Sequence, residues 1–441
     1  MLILAATAIH LVIEFVYTLG VVRWTIRLLI PRGLRSFIIR GVRPKVIRRR
    51  IGLMSDIDVA GLIASRDFIV VVNTYPGLPE RPGGEFIRGR VNAYRDAGYS
   101  GAVVEINRAN YAPVSESHAG LAVLRLHTSH TEEFVEKLAS TKSKVLVHSP
   151  LPSLQQVFRE QIPSSRLVYF YHGFEVRDYR RLPFNYTTQA LATQRNYLDA
   201  TNKERWAHAG QAFADHELSK VFVSKFLRDI AQADAKTTAV NAHIIPNFID
   251  TSMYPARIRD ACECKNILLL RPFTRRNYGN DIAIEALRIL STRAGFEELQ
   301  ITIRGFGEEF VSTVAPLQNL ENVSIEDGYS SPGEMASMHD ANGIFLCPSR
   351  FDTQCVSLGE AMASGMACVT NDVPGITEFV DDTCVVLARP DNPLDFANAL
   401  WSLIENPDRI PSLSSAAAKR VRESCDMEHT IAREIELFVT N

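Results

Sequence analysis

The sequence predicts an α/β protein of two doubly wound domains. Three observations predict it. The chain has 441 residues, enough for two ordinary domains with complete cores. From Asp67 onward short apolar runs alternate with helical segments, and the runs are apolar on both faces, as parallel strands covered by helices must be. A proline-bracketed stretch, Pro246 to Pro255, divides them into two series. The expected divisions are an N-terminal segment over 1–55, a first domain over 66–246, a second over 256–425 and a closing helix over 426–441 that could cross back to the first domain.

The first series of expected strands starts at Phe68, Gly101, Leu121, Lys144, Leu167 and Lys220. The second starts at Ile267, Leu299, Val323, Gly343 and Ala367. Helical segments separate them, among them Asp281–Ala294 and Leu394–Ile404, and Glu428 to Thr440 reads as a final helix.

Net charge is −2, so no global field marks a nucleic-acid binder. The seven cysteines have no metal-ligand spacing, and their odd number suits reduced thiols in a cytosolic compartment. The N-terminus is polarised. Residues 2–22 are mostly apolar, interrupted by His10 and Glu14, and a run of arginines follows from Arg23 to Arg50. The apolar length just suffices to span a bilayer, with the basic flank held in the cytoplasm. An in-plane amphipathic anchor and a helical hairpin packed on the protein itself fit the same residues, since Glu14 is costly at mid-span. Membrane association through residues 1–50 is the expectation, on the cytoplasmic face of a membrane such as a bacterial inner membrane.

The chemistry concentrates where strands end. Cys347 to Gly365 reads as strand, polar loop and helix, with Asp352 and Glu360 on the loop and helix. That is where an open α/β sheet binds an anionic ligand. Ionised carboxylates accept hydrogen bonds, which suits the hydroxyls of a ribose or a sugar. Taken alone, the pair equally fits a helix-capping Asp352 and a solvent-facing Glu360. Arg271 ends a strand and Arg275 and Arg276 follow, an arrangement that suits a diphosphate. His172 ends another strand, Gly83-Gly84 precedes a helix near Glu85, and Gly305-Phe-Gly-Glu308 forms a strand-to-glycine turn. Asp56-Ile-Asp58 precedes the first strand and reads as a solvated linker.

The order of these pieces resembles the retaining glycosyltransferases of family 4, which have the GT-B fold. The resemblance spans roughly residues 68–425. It rests on Gly83-Gly84, His172-Gly173, Val223-Ser224, Pro246-Asn-Phe-Ile-Asp250, Arg271 with Arg276, Gly305-Phe-Gly-Glu308, Pro348-Ser349, Asp352, Glu360-Ala-Met-Ala-Ser-Gly365, Thr370-Asn-Asp-Val-Pro-Gly375 and Glu378. It implies a nucleotide-sugar donor bound between the domains and a hydroxyl acceptor on a glycan or lipid-linked molecule, with no cofactor and no metal. Glu360 would hold the donor ribose, and Asp352 would take the place of the family's glutamate beside the sugar. His172 would stand beside the transferred sugar. Arg271, Arg275 and Arg276 would meet the diphosphate, with Gly83, Gly84, Gly305, Val356 and Ser357 completing the donor site. The departures are Asn277 after Arg276, Ala367 for a common proline, and Thr353 and Cys355 in place of two glycines. A sugar-nucleotide epimerase, a phosphorylase and a non-catalytic scaffold of the same fold are the alternatives.

Overall fold

The computed structural model describes Met54, residues 57–77 and residues 84–439. The apolar and basic N-terminal segment and Gly83 lie outside the described residues. Among the described residues, no helix is long and apolar enough to cross a membrane.

Two sheets form the frame. The first orders its eight strands β3-β4-β2-β1-β5-β6-β7-β8, and the second orders its six β11-β10-β9-β12-β13-β14. In the first, β1 (Phe68–Val72), β2 (Gly101–Ile106), β4 (Leu121–Leu126), β5 (Lys144–His148), β6 (Leu167–Tyr171), β7 (Ser219–Phe222) and β8 (Ala242–Ile244) run parallel. In the second, β9 (Asn266–Leu270), β10 (Gln300–Gly305), β11 (Val323–Asp327), β12 (Ile344–Cys347), β13 (Ala367–Asn371) and β14 (Val386–Ala388) are all parallel. Central strands such as β1, β2, β12 and β13 are buried along their whole length, which explains their unbroken apolar runs. This is the GT-B architecture of two Rossmann-like domains.

One strand departs from the parallel rule. Strand β3 (Val114–His118) pairs antiparallel with β4. The turn between them is Ala119-Gly120, with φ of +50° and +78°, the left-handed conformation a tight hairpin demands. Asp58 is also more than a linker residue, because its Oδ1 accepts the Gly61 N–H at 2.9 Å and caps the helix Val59–Ile63.

The helix Met427–Val439 returns from the second domain and packs against the helix Glu85–Asp96 of the first. Phe438 meets Tyr94 edge-on at 5.2 Å and Tyr99 at 5.4 Å between ring centroids. Beneath the rings, Arg90 Nε donates to Glu434 Oε1 at 3.0 Å, and the Tyr94 hydroxyl donates to the same carboxylate. Both charged side chains are buried, so each depends on the other for solvation.

The domains also touch at the strand ends. Gln354, in the loop after β12, binds both backbone groups of Asn247, accepting from its N–H at 2.6 Å and donating to its carbonyl at 2.8 Å. Thr353 Oγ1 donates to the His172 carbonyl at 2.7 Å. Glu378 accepts the backbone N–H groups of Lys225 and Phe226, at 2.6 and 2.8 Å, across the domain boundary. A carboxylate there complements the N-terminus of the helix Lys225–Ala235.

Candidate functional site

The C-terminal ends of β9 and β12 and the helix Val356–Ala363 bring Arg271, Asp352, Val356, Ser357 and Glu360 to one side of the junction. Arg271 is buried rather than open on a loop, at 3 % exposure. Its Nη2 donates to Ser349 Oγ at 2.8 Å and lies 3.7 Å from Asp352 Oδ2. Its Nη1 donates to Ser357 Oγ at 2.6 Å, and the guanidinium lies 5.1 Å from the centre of the Tyr278 ring. The two hydroxyls orient the fork without neutralising its charge.

Asp352 does not cap the helix. Its Oδ1 accepts the N–H groups of Thr353 and Gln354, at 2.9 and 3.3 Å, and so shapes the loop just before it. Glu360 is partly buried, not solvent-facing, and is hydrogen-bonded to the Tyr254 hydroxyl. Burial pushes both acids up, Asp352 to about 7 and Glu360 to about 8, with Arg271 opposing the shift in each.

Two glycines here are required by close approach. A Cβ on Gly375 would lie 1.9 Å from the Asp352 carbonyl oxygen, so this turn holds the acidic loop from behind. A Cβ on Gly305 would lie 2.1 Å from the Arg271 carbonyl oxygen. Gly305 therefore packs the end of β10 against Arg271 and is not itself open to the cleft.

Of the other arginines, Arg276 is exposed and donates to Asp281 Oδ2 at 2.7 Å. Arg350 pairs with the same carboxylate at 2.6 and 2.9 Å. Arg275 is exposed beside them, and its charge is felt at Arg177.

The first domain supplies two neutral imidazoles to the facing wall. His172 follows β6, and its Nε2 lies 3.0 Å from Nδ1 of His148, which ends the neighbouring strand β5. The rings stack at 5.3 Å, and Phe86 meets His172 edge-on at 5.1 Å. Burial, reinforced by the Arg90 charge, holds His172 down to about 3, and His148 is likewise depressed. Both imidazoles are therefore neutral at physiological pH. Gly84 has φ +81° at the start of the helix Glu85–Asp96, where a Cβ would lie 2.9 Å from the Thr74 carbonyl oxygen.

Several neighbours of these residues lie outside the sequence motifs. His148 was detectable, because like His172 it closes an apolar strand. Arg177 was not, because it lies in an irregular loop. It sits 5.3 Å from the Phe351 ring and feels the charges of Glu175, Arg275 and Asp352. Tyr254 and Gln354 carry no local signature either, and Asn247, though inside the Pro246–Asp250 motif, meets Gln354 only through docking.

Comparisons with known proteins bear on the fold and on family likeness. Residues 264–406 match the family model described as glycosyl transferases group 1. The chain is 27% identical over 179 residues to a phosphatidylinositol N-acetylglucosaminyltransferase component of Arabidopsis thaliana. That alignment spans 38% of this chain and 38% of the relative, so the likeness covers well under half of either protein. Sucrose-phosphate synthase from Thermosynechococcus elongatus superposes with a TM-score of 0.65 at 16% identity, over 85% of this chain and 98% of that one. HepE of Anabaena, in complex with UDP and glucose, superposes with a TM-score of 0.61 at 14% identity, over 85% of this chain and 100% of that one. At such identities the two structures establish the shared fold.

Proposed function

We propose that this chain is a retaining glycosyltransferase of the family 4 type, moving a hexose from a nucleotide-sugar donor to a hydroxyl of a glycan or lipid-linked acceptor. One observation carries the reading. A buried arginine, Arg271, converges with Ser349, Ser357 and Asp352 at the strand ends of the domain that matches the glycosyltransferase model. Such a cluster offers fixed positive charge where the leaving diphosphate gains negative charge. The UDP complex of HepE, whose fold this chain shares, supports a nucleoside diphosphate there.

The roles follow from position. Glu360, with Tyr254, would hold the donor ribose, while Asp352 would meet sugar hydroxyls near the anomeric carbon. Arg271, aided by Arg275 and Arg276, would stabilise the departing diphosphate without a metal. His172 stays neutral and would hydrogen-bond the transferred sugar from the facing domain. The acceptor hydroxyl would attack on the face the diphosphate leaves, and a leaving phosphate oxygen would take its proton. No separate base is then needed. The basic N-terminal segment supports work at the cytoplasmic face of a membrane on a cell-surface polysaccharide or glycolipid.

The test is a screen of nucleotide sugars by thermal shift, then hydrolysis and transfer assays with the hits. Glu360→Ala should bind donor poorly and transfer almost nothing. A folded Glu360→Ala protein with near-normal transfer refutes the assignment. Conversion of a nucleotide sugar without any acceptor would favour an epimerase, and saturable binding without turnover would favour a scaffold.

A further inference from the structure

Arg271 faces two sulfurs as well as oxygens. Its Nη1 lies 2.8 Å from Cys355 Sγ and 3.1 Å from Cys347 Sγ. The sulfurs are 3.5 Å apart and belong to residues separated by eight positions. Cys347 ends β12, and Cys355 is the N-cap residue of the helix Val356–Ala363. A guanidinium only donates, so both sulfurs meet it as acceptors. Between them, one thiol must donate to the other. A neighbouring cation and a helix N-terminus both favour a thiolate. The hydrogen bond with Cys347, together with the guanidinium, holds the Cys355 thiol well below its ordinary range, whereas the same bond and burial push Cys347 up. Both residues are buried, Cys355 at 8 % exposure and Cys347 at 0 %, so Cys355 is the nearer of the two to solvent.

We propose that Cys355 and Cys347 form an oxidisable pair, in which a peroxide attacks Cys355 and Cys347 resolves the product to a disulfide that disables Arg271. The Cys355 thiolate attacks one peroxide oxygen. The O–O bond breaks, an S–O bond forms, and the departing hydroxide takes up a proton to become water. Cys347 then gives up its proton and attacks the sulfenic sulfur, and the S–O bond breaks as a second water leaves. In balance, two thiols lose two electrons and one hydrogen peroxide becomes two waters. Bond formation draws the sulfurs together from 3.5 Å and withdraws them from Nη1, so the guanidinium loses two of the contacts that hold it in position. It also pulls on the loop that carries Asp352, Thr353 and Gln354. The functional half of this inference rests on the donor-site reading of Arg271; the thiol chemistry does not.

The experiment treats the full chain with hydrogen peroxide, blocks remaining thiols with iodoacetamide and maps the peptides by mass spectrometry. Trypsin cuts between the two cysteines at Arg350, so a bridge joins two otherwise separate peptides and dithiothreitol parts them. Cys262, which is exposed, is the internal control. Bridging of Cys347 to Cys355 at peroxide levels that leave Cys262 alkylatable is the expected result. Full alkylation of both after Cys262 has oxidised overturns the proposal. Cys347→Ser should accumulate a dimedone-reactive sulfenic acid at Cys355, and labelling no greater than in wild type removes Cys347 as the resolving residue. Binding of UDP, GDP and ADP is then measured by calorimetry before oxidation, after it and after dithiothreitol. The best of these should weaken about tenfold on bridging and recover on reduction, a loss of roughly 1.4 kcal/mol. Unchanged affinity in a bridged protein overturns the link to Arg271. A bridge in a protein that binds none of the three upholds the thiol chemistry and overturns the donor-site reading.

Discussion

The two walls of the junction are built on opposite electrostatic principles. The second-domain wall concentrates ionisable groups: Arg271, Asp352, Glu360 and two thiols within reach of the arginine. The first-domain wall presents His148 and His172, stacked, neutral and backed by aromatic rings. The same burial drives both outcomes, since desolvation penalises whichever form is charged. It raises the two acids and depresses the two imidazoles. One wall is thus suited to charge that develops during a reaction, and the other to orienting a neutral sugar without competing for that charge.

Perturbing each wall separately tests this division. The largest effect is expected from Arg271→Ala, which should lower kcat/KM by about 10² to 10³ through loss of charge stabilisation. Arg271→Lys should recover only part of it, because the planar fork is lost. Steady-state kinetics on the donor found by screening measures both. His172→Ala should cost about tenfold to a hundredfold, the value of one or two hydrogen bonds, and should leave nucleoside diphosphate affinity unchanged. An equal loss of diphosphate affinity in His172→Ala would erase the distinction between the walls.

The walls should also respond oppositely to pH. The Glu360 carboxyl, raised to about 8 from an ordinary 4.5, adds stability that is present below 4.5 and lost as pH rises through 8. His172, lowered to about 3 from 6.5, adds stability present above 6.5 and lost as pH falls toward 3. Urea midpoints across this range should therefore fall at both ends, with Glu360→Gln lessening only the alkaline fall, because Asp352, raised to about 7, keeps its own share. Diphosphate affinity should run the other way on that side, rising toward pH 8 as Glu360 ionises to accept ribose hydroxyls. The smallest effect is expected from Glu378→Ala, which removes a carboxylate from a helix N-terminus across the boundary. About 1 kcal/mol of stability should be lost, read by urea denaturation, with the chemistry of either wall intact.

Much of the fold was legible because central parallel strands must be apolar on both faces. The strand β3 was not, since an exposed edge strand of sequence Val-Ser-Glu-Ser-His carries no apolar period. The site was legible where a residue ends a strand, as with Arg271 and His172. It was illegible where contact depends on docking. Thr353 and the His172 carbonyl are 181 residues apart in the chain, and Asn247 and Gln354 are 107 apart. No periodicity links such pairs. Thr353 shows how a departure from the family pattern becomes intelligible only in three dimensions. A glycine at this position would leave the His172 carbonyl without its hydroxyl donor.

The buried pair of Arg90 and Glu434 has a consequence for synthesis. Its members lie 344 residues apart. At translation rates of 5–20 residues per second, roughly 17 to 70 s separate the making of Arg90 from the making of Glu434. Throughout that interval Arg90 lacks its carboxylate partner. The helix that supplies Glu434 follows the whole second sheet in the chain. The first domain is thus completed only after the second has been translated.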